Sequence, residues 1–477
     1  MDRLAGERAE LARTLAGIDS IQSALDFQVA LANSIRAAES LPERDEAKFH
    51  NNILRRMGDA FATQLLGAHT VREFARDRGR PPHLTGQGAD FEFVLDTASS
   101  IATAGAVPII ADLTTLLSVG DIIAMRSDLL LLIECKNRVP PKPHTPRGRL
   151  WRQMRRRDNA TTYLRDDQVV EEGGTRRIAI DADMLEPRND LLIRECILAS
   201  ELSDTGLACR QMTDNDFIVA IWNHDWNQGA AMASLSNAMH EMRGDTWRYP
   251  LIGGGSEFMR SSSPWHLNPF SLDIDIKYQI ALAEGDLMLW RFADISPIVG
   301  PVPDCCNAAI RCDVTPDGAL QLKLTIDNDD HSISHRFLDE IGLGFMPVRA
   351  IRDAIHQLCG SMVRDVEAVT TQPDTEPVHE RSESRTTSAG PSAVRGRPIV
   401  SAIAYKSPAG DNRSPVLVVD LEQLMRLGYQ VPVDELRSLY EQLDNSRDWA
   451  IPLTLAFTAD QSRFDLSNRQ DLWMKIF

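Results

Sequence analysis

The sequence predicts an α/β protein of several domains, and three observations carry that prediction. The first 78 residues repeat apolar side chains at helical spacing. Two apolar runs around residue 128 flank a polar turn, as a β-hairpin would. Strand-like and helix-like segments then alternate along most of the remaining chain. With 43% hydrophobic and 25% charged residues among 477, the composition is that of globular protein, not of collagen, a disordered chain or a membrane protein. This length suits two to four domains, each large enough to bury a core.

Taken in order, Glu46 to Leu66 places Phe49, Ile53, Met57, Phe61 and Leu65 four residues apart, an amphipathic helical stripe. No proline falls between Pro42 and Pro81, and Gly79-Arg80-Pro81-Pro82 stops the helical stretch. Asp90 to Leu95 alternates polar and apolar and predicts a half-buried strand; Val107 to Ile110 predicts another. Ile122 to Arg126 and Leu129 to Ile133, joined by Ser127-Asp128, predict a hairpin. Residues 149–164 read as helix, 177–180 and 217–222 as strands, and 230–242 as helix. The block from about 247 to 366 carries Gly253-Gly254-Gly255 as a flexible turn, strands near 273–280 and 320–326, and a helix over 348–366. Residues 370–398, rich in Pro, Ser, Thr, Glu and Arg, bury too little to offset their ordering entropy and predict a disordered linker. Strands at 415–419 and 451–457 bracket helices at 421–427 and 434–443, a small α/β unit.

The predicted domains are therefore a helical region over 1–85, a core over 86–245 to which the helix from about 45 contributes, a second α/β domain over 246–368, the linker 369–398, and a C-terminal α/β domain over 399–477. No run approaches the length of apolar chain that spans a bilayer. The start, MDRLAGERAELARTLAG, lacks an apolar signal core, so a secretory signal is not expected. Seven cysteines, odd in number and thinly spread, suit a reducing compartment, so a cytoplasmic location is expected.

The chemistry-bearing residues lie on the hairpin. Pairing Arg126 with Leu129 makes paired positions sum to 255, which sets Asp121 opposite Glu134. Lys136 then shares the face of Glu134, because side chains alternate along a strand. Two carboxylates at cross-strand distance repel unless a cation joins them. Mg²⁺ suits such a pair, since it binds one or two carboxylates together with substrate phosphate. A neighbouring lysine would orient water or offset charge developing on phosphate. Metal-assisted phosphodiester hydrolysis needs these parts together.

Gly120-Asp121, twelve further residues and then Glu134-Cys135-Lys136 resemble the D…(D/E)-x-K core of the PD-(D/E)XK, or restriction-endonuclease-like, nucleases. The resemblance covers roughly residues 45–225 and is sharp over Gly120 to Lys136. It implies a mixed central sheet flanked by helices. It also implies Mg²⁺ or Mn²⁺ held by Asp121, Glu134 and the main-chain carbonyl of Cys135, with Lys136 assisting the water. The family usually adds an acid from the helix before the sheet, for which Asp59 is the first candidate and Glu46 the second. Two departures stand out. Gly120 occupies the position of the proline in the family name, and the Gln-x₃-Tyr helix of one branch is missing, since Gln153 is followed four residues on by Arg157.

Charge distribution sharpens the expectation. The net charge is −17, yet residues 136–157 hold nine Lys/Arg and no acid, which leaves −26 for the remainder. Within this basic segment Arg138, Arg149, Arg152 and Arg156 are the expected phosphate contacts and Trp151 a stacking surface for a base. Nucleic acid is the expected partner, DNA ahead of RNA, with a protein partner through residues 246–477 in a prokaryotic defence or DNA-processing complex. The rival expectation is a catalytically inactive nuclease-like scaffold. Cys305-Cys306, Cys312, His331 and His335 have the residue types for zinc without a common finger spacing. His224-Asp225 reads as a polar strand exit. Phosphate-binding P-loop, nucleophile-elbow, dinucleotide-binding and helix-turn-helix signatures are missing.

Overall fold

The computed structural model describes residues 2–75, 81–126, 130–136, 168–170, 176–178, 188–213, 216–222, 247–255, 266–303, 307–357 (bar 317 and 328), 399–406 and 415–419, with isolated residues at 233, 237 and 359. In chain order it begins with helices α1 (Asp2–Ala16), α2 (Ile21–Glu39), α3 (Arg44–Leu66), α4 (Ala68–Phe74), α5 (Leu84–Gln87) and α6 (Ala89–Thr103). Strands β1 (Val107–Ile110), β2 (Ile122–Met125), β3 (Leu130–Lys136), β4 (Gln168–Val170) and β5 (Arg176–Ile178) follow. Next come α7 (Asp190–Glu201), β6 (Leu207–Thr213), β7 (Asp216–Trp222), β8 (Pro250–Gly254), α8 (Ile276–Glu284) and β9 (Leu287–Asp294). After them come β10 (Gly300–Pro301), β11 (Ala308–Val314), β12 (Leu320–Ile326), β13 (Asp329–Ser332), α9 (Arg336–Gly342), β14 (Ile399–Lys406) and β15 (Pro415–Val419).

The fold is mixed α/β, and the chain divides into two compact units. One comprises residues 1–177 together with 392–477, the other residues 178–391. The first unit is built on a five-stranded sheet of order β1-β2-β3-β14-β15. β1, β2 and β3 form an antiparallel meander, β14 lies parallel to β3, and β15 is antiparallel to β14. The hairpin register is the expected one, with Ile122 opposite Ile133 and Met125 opposite Leu130. Leu130 to Ile133 are buried on both faces of the sheet, as a continuous apolar run requires. α6 lies against β1, β2, β3 and β15.

The helical layer follows from its stripe. α3 buries Ile53, Met57 and Phe61, and Phe61 meets Phe27 of α2 at 5.4 Å between ring centroids. α2 starts at a capping box in which the Ser20 side chain accepts from Ser23 N. Gln28 of α2 takes over the free edge of β1: its Nε2 donates to Pro108 O at 2.7 Å and its Oε1 accepts from Ile110 N at 2.8 Å. An edge whose remaining backbone groups are satisfied this way, with a proline in it, cannot recruit another strand there. Arg55 ties the layer together. Its Nη2 donates to Glu39 at 3.3 Å and to Pro82 O at 2.7 Å, its Nε donates to Asn51, and Nη1 donates to Asp112 O. Both side chains of the ion pair are buried, at 2% and 0% exposure, so each charge is stabilised only by its partners.

Several expected elements differ. Residues 90–95 lie in helix α6, not in a strand; Phe91, Val94, Ala98 and Ile101 are buried at helical spacing, a period that six alternating residues are too short to show. The strand expected near 273–280 is replaced by α8 from Ile276. The expected division at 245–246 runs through a sheet of the second unit, because β6 and β7 pair with β9 and β8 in the order β6-β7-β9-β8. Residues 399–406 and 415–419 belong to the first unit's sheet and do not stand apart as a C-terminal domain, since β14 fills the second edge of β3. The expected helices at 149–164, 230–242, 421–427 and 434–443, the linker and the strand 451–457 lie outside the described residues.

In the second unit α7 and α8 bury one face of β6-β7-β9-β8, and a second antiparallel sheet, β10-β11-β12-β13, makes a separate core with α9. Arg291 on β9 forks onto Asp216 at 2.9 and 2.5 Å and donates its third nitrogen to Ile341 O and Met346 O. Gly253 is no flexible turn: a Cβ there would stand 2.1 Å from Gly342 O, so β8 needs glycine to approach the end of α9.

The Arg55–Glu39 pair carries a prediction. Arg55→Ala leaves Glu39 buried without its cation and should lower stability by ~3–5 kcal/mol. Glu39→Gln, which removes the buried charge and whose amide oxygen still accepts from one of Leu84 N and Thr85 N, should cost less. Urea denaturation read by circular dichroism checks both. An unchanged midpoint for Arg55→Ala would show that the pair adds nothing.

Candidate active site

Asp121 is delivered to the hairpin end by a loop fixed at three points. The turn Ala111–Leu113 lies on α3, where Gly58 comes so close that a Cβ would stand 2.3 Å from Leu113 O. The next residue of α3, Asp59, accepts from Thr115 N at 2.7 Å, Thr115 Oγ1 at 2.5 Å and Leu116 N at 3.0 Å. Ser118 then bonds Phe74 O through both N and Oγ. The loop ends at Gly120, whose φ of +79° is in the left-handed region and whose Cβ position lies 2.9 Å from Ile133 O. Proline, with φ fixed near −65°, cannot adopt this conformation; the departure from the family name at Gly120 therefore has a local backbone cause.

Asp121 itself is held on both sides. Its N–H donates to Ile133 O at 2.8 Å, its carbonyl accepts from Ala111 N at 2.9 Å, and its Oδ2 accepts from Cys135 N at 2.6 Å. The paired ladder ends at Ile122 and Ile133, so the expected Asp121–Glu134 pairing is not part of it; Asp121 and Glu134 adjoin that last pair, at the same end of the hairpin. Glu134 is 3% exposed, and Asp121 is half-buried. Lys136 is the last residue of β3, in register with Tyr405 of β14. Two carboxylates and a main-chain carbonyl are hard oxygen donors, a set that fits a Mg²⁺ keeping several waters; one oxygen of Asp121 is engaged by Cys135 N.

The helix candidates do not join them. Both Asp59 oxygens are taken up by the 115–116 backbone and the Thr115 hydroxyl, so Asp59 is a clamp on the loop rather than a ligand. Its signal in sequence was only that of an acid on an amphipathic helix, which does not distinguish the two roles. Glu46 lies 3.6 Å from His50 one helical turn on, and His50 contacts Arg8 of α1. Among the described residues no group of three or more His, Cys, Asp or Glu gathers as a metal site. Cys312 is buried in β11, and His331 lies on the exposed β13. Arg138, Arg149, Trp151, Arg152 and Arg156 lie outside the described residues, as do Cys305, Cys306 and His224-Asp225.

Burial dominates the electrostatics behind the site. Desolvation raises Asp59 to about 6, against the hydrogen bonds from Thr115 and Leu116 and the charge of Arg56. Desolvation likewise lowers Arg56 to about 10, against the pull of Asp59.

A raised carboxyl has a definite sign. The folded state holds the Asp59 proton up to about pH 6, whereas the unfolded chain releases it near 4. Stability should therefore fall as pH rises from 4 to 6, by up to ~1.4 kcal/mol per unit from this group. Asp59→Asn keeps an acceptor for Thr115 N and Leu116 N and should flatten that slope, as pH-dependent urea titrations would reveal; a slope unchanged in the variant would refute it.

No helix among the described residues is long and apolar enough to cross a membrane. Compared with family models, curated proteins and solved structures, the chain matches none.

Proposed function

We propose that the chain is a metal-dependent nuclease of the PD-(D/E)XK type that hydrolyses nucleic-acid phosphodiester bonds. The observation that carries the reading is the hairpin register, which brings Asp121 and Glu134 to one end of a sheet just where an apolar strand runs into Glu134-Cys135-Lys136. The mixed sheet, with an antiparallel meander followed by a parallel neighbour to β3, is compatible with the restriction-endonuclease-like fold. Bound Mg²⁺ or Mn²⁺ supplies Lewis-acid polarisation of the scissile phosphate. Asp121, Glu134 and the Cys135 carbonyl hold it, and Lys136 orients the attacking water or offsets phosphate charge. Arg138, Arg149, Arg152 and Arg156 track the backbone, and Trp151 stacks on a base. DNA ahead of RNA as substrate, a protein partner through residues 246–477 and a role in a prokaryotic defence complex complete the proposal, by analogy only.

One observation favours the rival, an inactive nuclease-like scaffold: the first helix acid expected to complete the metal site, Asp59, is committed to the loop. Cleavage of plasmid and labelled RNA in Mg²⁺ or Mn²⁺ separates the two. Glu134→Ala and Lys136→Ala should each cut the rate at least ~100-fold, the low end for loss of a catalytic proton-transfer group, with circular dichroism unchanged. No metal-dependent cleavage by the wild type under any condition would falsify the enzyme reading. In an active enzyme, replacing Arg149, Arg152 and Arg156 together by Ala should lower the slope of log K against log salt by ~2–3, as removal of three phosphate contacts requires.

A further inference from the structure

The loop between β1 and β2 closes on itself and carries Asp121 at its end. Ala111 N donates to Asp121 O at 2.9 Å, which joins the two ends of the excursion 112–120. Leu113, Leu116, Leu117 and Val119 are buried beneath it. Such packing sets how deep a loop sits, but it is non-directional and leaves sideways position open. Direction comes from hydrogen bonds, and three of them converge on Asp59 of α3. Thr115 N and Leu116 N donate to its Oδ1 at 2.7 and 3.0 Å, and Thr115 Oγ1 donates to its Oδ2 at 2.5 Å. From there to Asp121 the chain is short and stiff. Leu117 N donates to Thr114 Oγ1, Ser118 bonds Phe74 O, and Asp121 N donates to Ile133 O. A shift at 115–116 therefore has little slack in which to disappear before it reaches Asp121.

A carboxylate is a costly choice if the loop only had to be covered. Asp59 is 1% exposed, and burial pushes its carboxyl up to about 6. Asparagine could answer the same three groups at lower cost. Its oxygen can take both N–H groups, and the Thr115 hydroxyl can turn to accept from its amide nitrogen. What the carboxylate adds is grip, because hydrogen bonds to an ionised acceptor are shorter and stronger than neutral ones. Grip at 115–116 matters most for what the loop delivers. Asp121 adjoins Glu134 at the end of the hairpin, and its Oδ2 already accepts from Cys135 N at 2.6 Å. Two carboxylates can share one cation only if the spacing between them is kept.

We propose that Asp59 is a positioning residue for the candidate metal site: by holding the backbone at 115–116 it sets where the Asp121 carboxylate stands relative to Glu134. The inference rests on the nuclease reading above and gives the helix acid a role other than ligand. Full-length wild type, Asp59→Asn, Asp59→Ala and Thr115→Val would be compared. Mn²⁺ binding would be read by electron paramagnetic resonance and counted as the binding that Glu134→Ala loses. Amide exchange over 114–121 would be followed by mass spectrometry in the metal-free proteins. Asp59→Ala should weaken Mn²⁺ binding about tenfold, a usual loss when a group that orients a metal ligand is removed. It should also speed exchange over 114–121 while 122–125 and 130–133 stay protected. Asp59→Asn should restore both, and Thr115→Val, which removes only the bond to Oδ2, should lie between. Thr115→Val also keeps the comparison if Asp59→Ala does not fold. A ligand role predicts that Asn loses Mn²⁺ as fully as Ala. A purely structural role predicts that Ala and Thr115→Val melt lower yet bind Mn²⁺ like wild type. Either result overturns the inference. Equal Mn²⁺ binding by wild type and Glu134→Ala overturns the nuclease reading, while the exchange rates still decide whether Asp59 holds Asp121 in place.

Discussion

The first unit depends on one constraint: β3 has to be covered on every side. Leu130 to Ile133 present apolar side chains to both faces, so neither face can meet water and neither edge can stand open without inviting another chain. β2 takes one edge and β14 the other, with α6 lying against the sheet. Where the apolar run ends the composition turns polar, although Glu134 itself stays buried. Glu134, Cys135 and Lys136 stand at that transition. The candidate site is thus the end of the strand whose burial organises the sheet, which gives it a rigid base without any residue dedicated to rigidity.

The second requirement is that Asp121 reach that end at the right height. Nothing in β2 does this, because the strand begins only at Ile122. The loop before it is positioned from the helical layer, by Gly58 admitting the Leu113 carbonyl and Asp59 gripping the backbone at 115 and 116. A carboxylate that accepts two backbone N–H groups and a hydroxyl fixes a loop more firmly than apolar packing would, since each bond has direction as well as energy. The cost is visible in its ionisation: burial outweighs those bonds and raises Asp59 to about 6. An acid on α3 therefore influences the site through geometry, while contributing no ligand to it.

These roles were legible to different degrees in the sequence, for physical reasons. The β2–β3 register could be read because two apolar runs and a two-residue gap leave a single pairing that keeps every apolar residue inside. β7 and β12 were read for the same reason, each being a short run of strand formers between polar breaks. α6 was misread because Phe91 and Phe93 both face the core, so its first turn mimics strand alternation. The Asp59 grip was illegible, since an acid on a helix looks the same whether it binds a metal or a loop. β14 was hidden for a deeper reason: pairing between segments 262 residues apart is set by which edge is left open after folding, and local periodicity carries no record of it.

That distant pairing has a geometric consequence for the chain between. β3 leaves the sheet at Lys136, the site end, and β14 enters beside Leu130, at the opposite end. A parallel pair always requires a crossover along the length of the strand, here ~20 Å for seven residues at ~3.3 Å each. Most parallel pairs make it with one helix; this chain makes it with residues 137–398, which contain the entire second unit. The segment leaving the site end is also the one that carries eight of the nine Lys/Arg between 136 and 157. The crossover therefore has to begin where the carboxylates are, and its first residues carry the opposite charge.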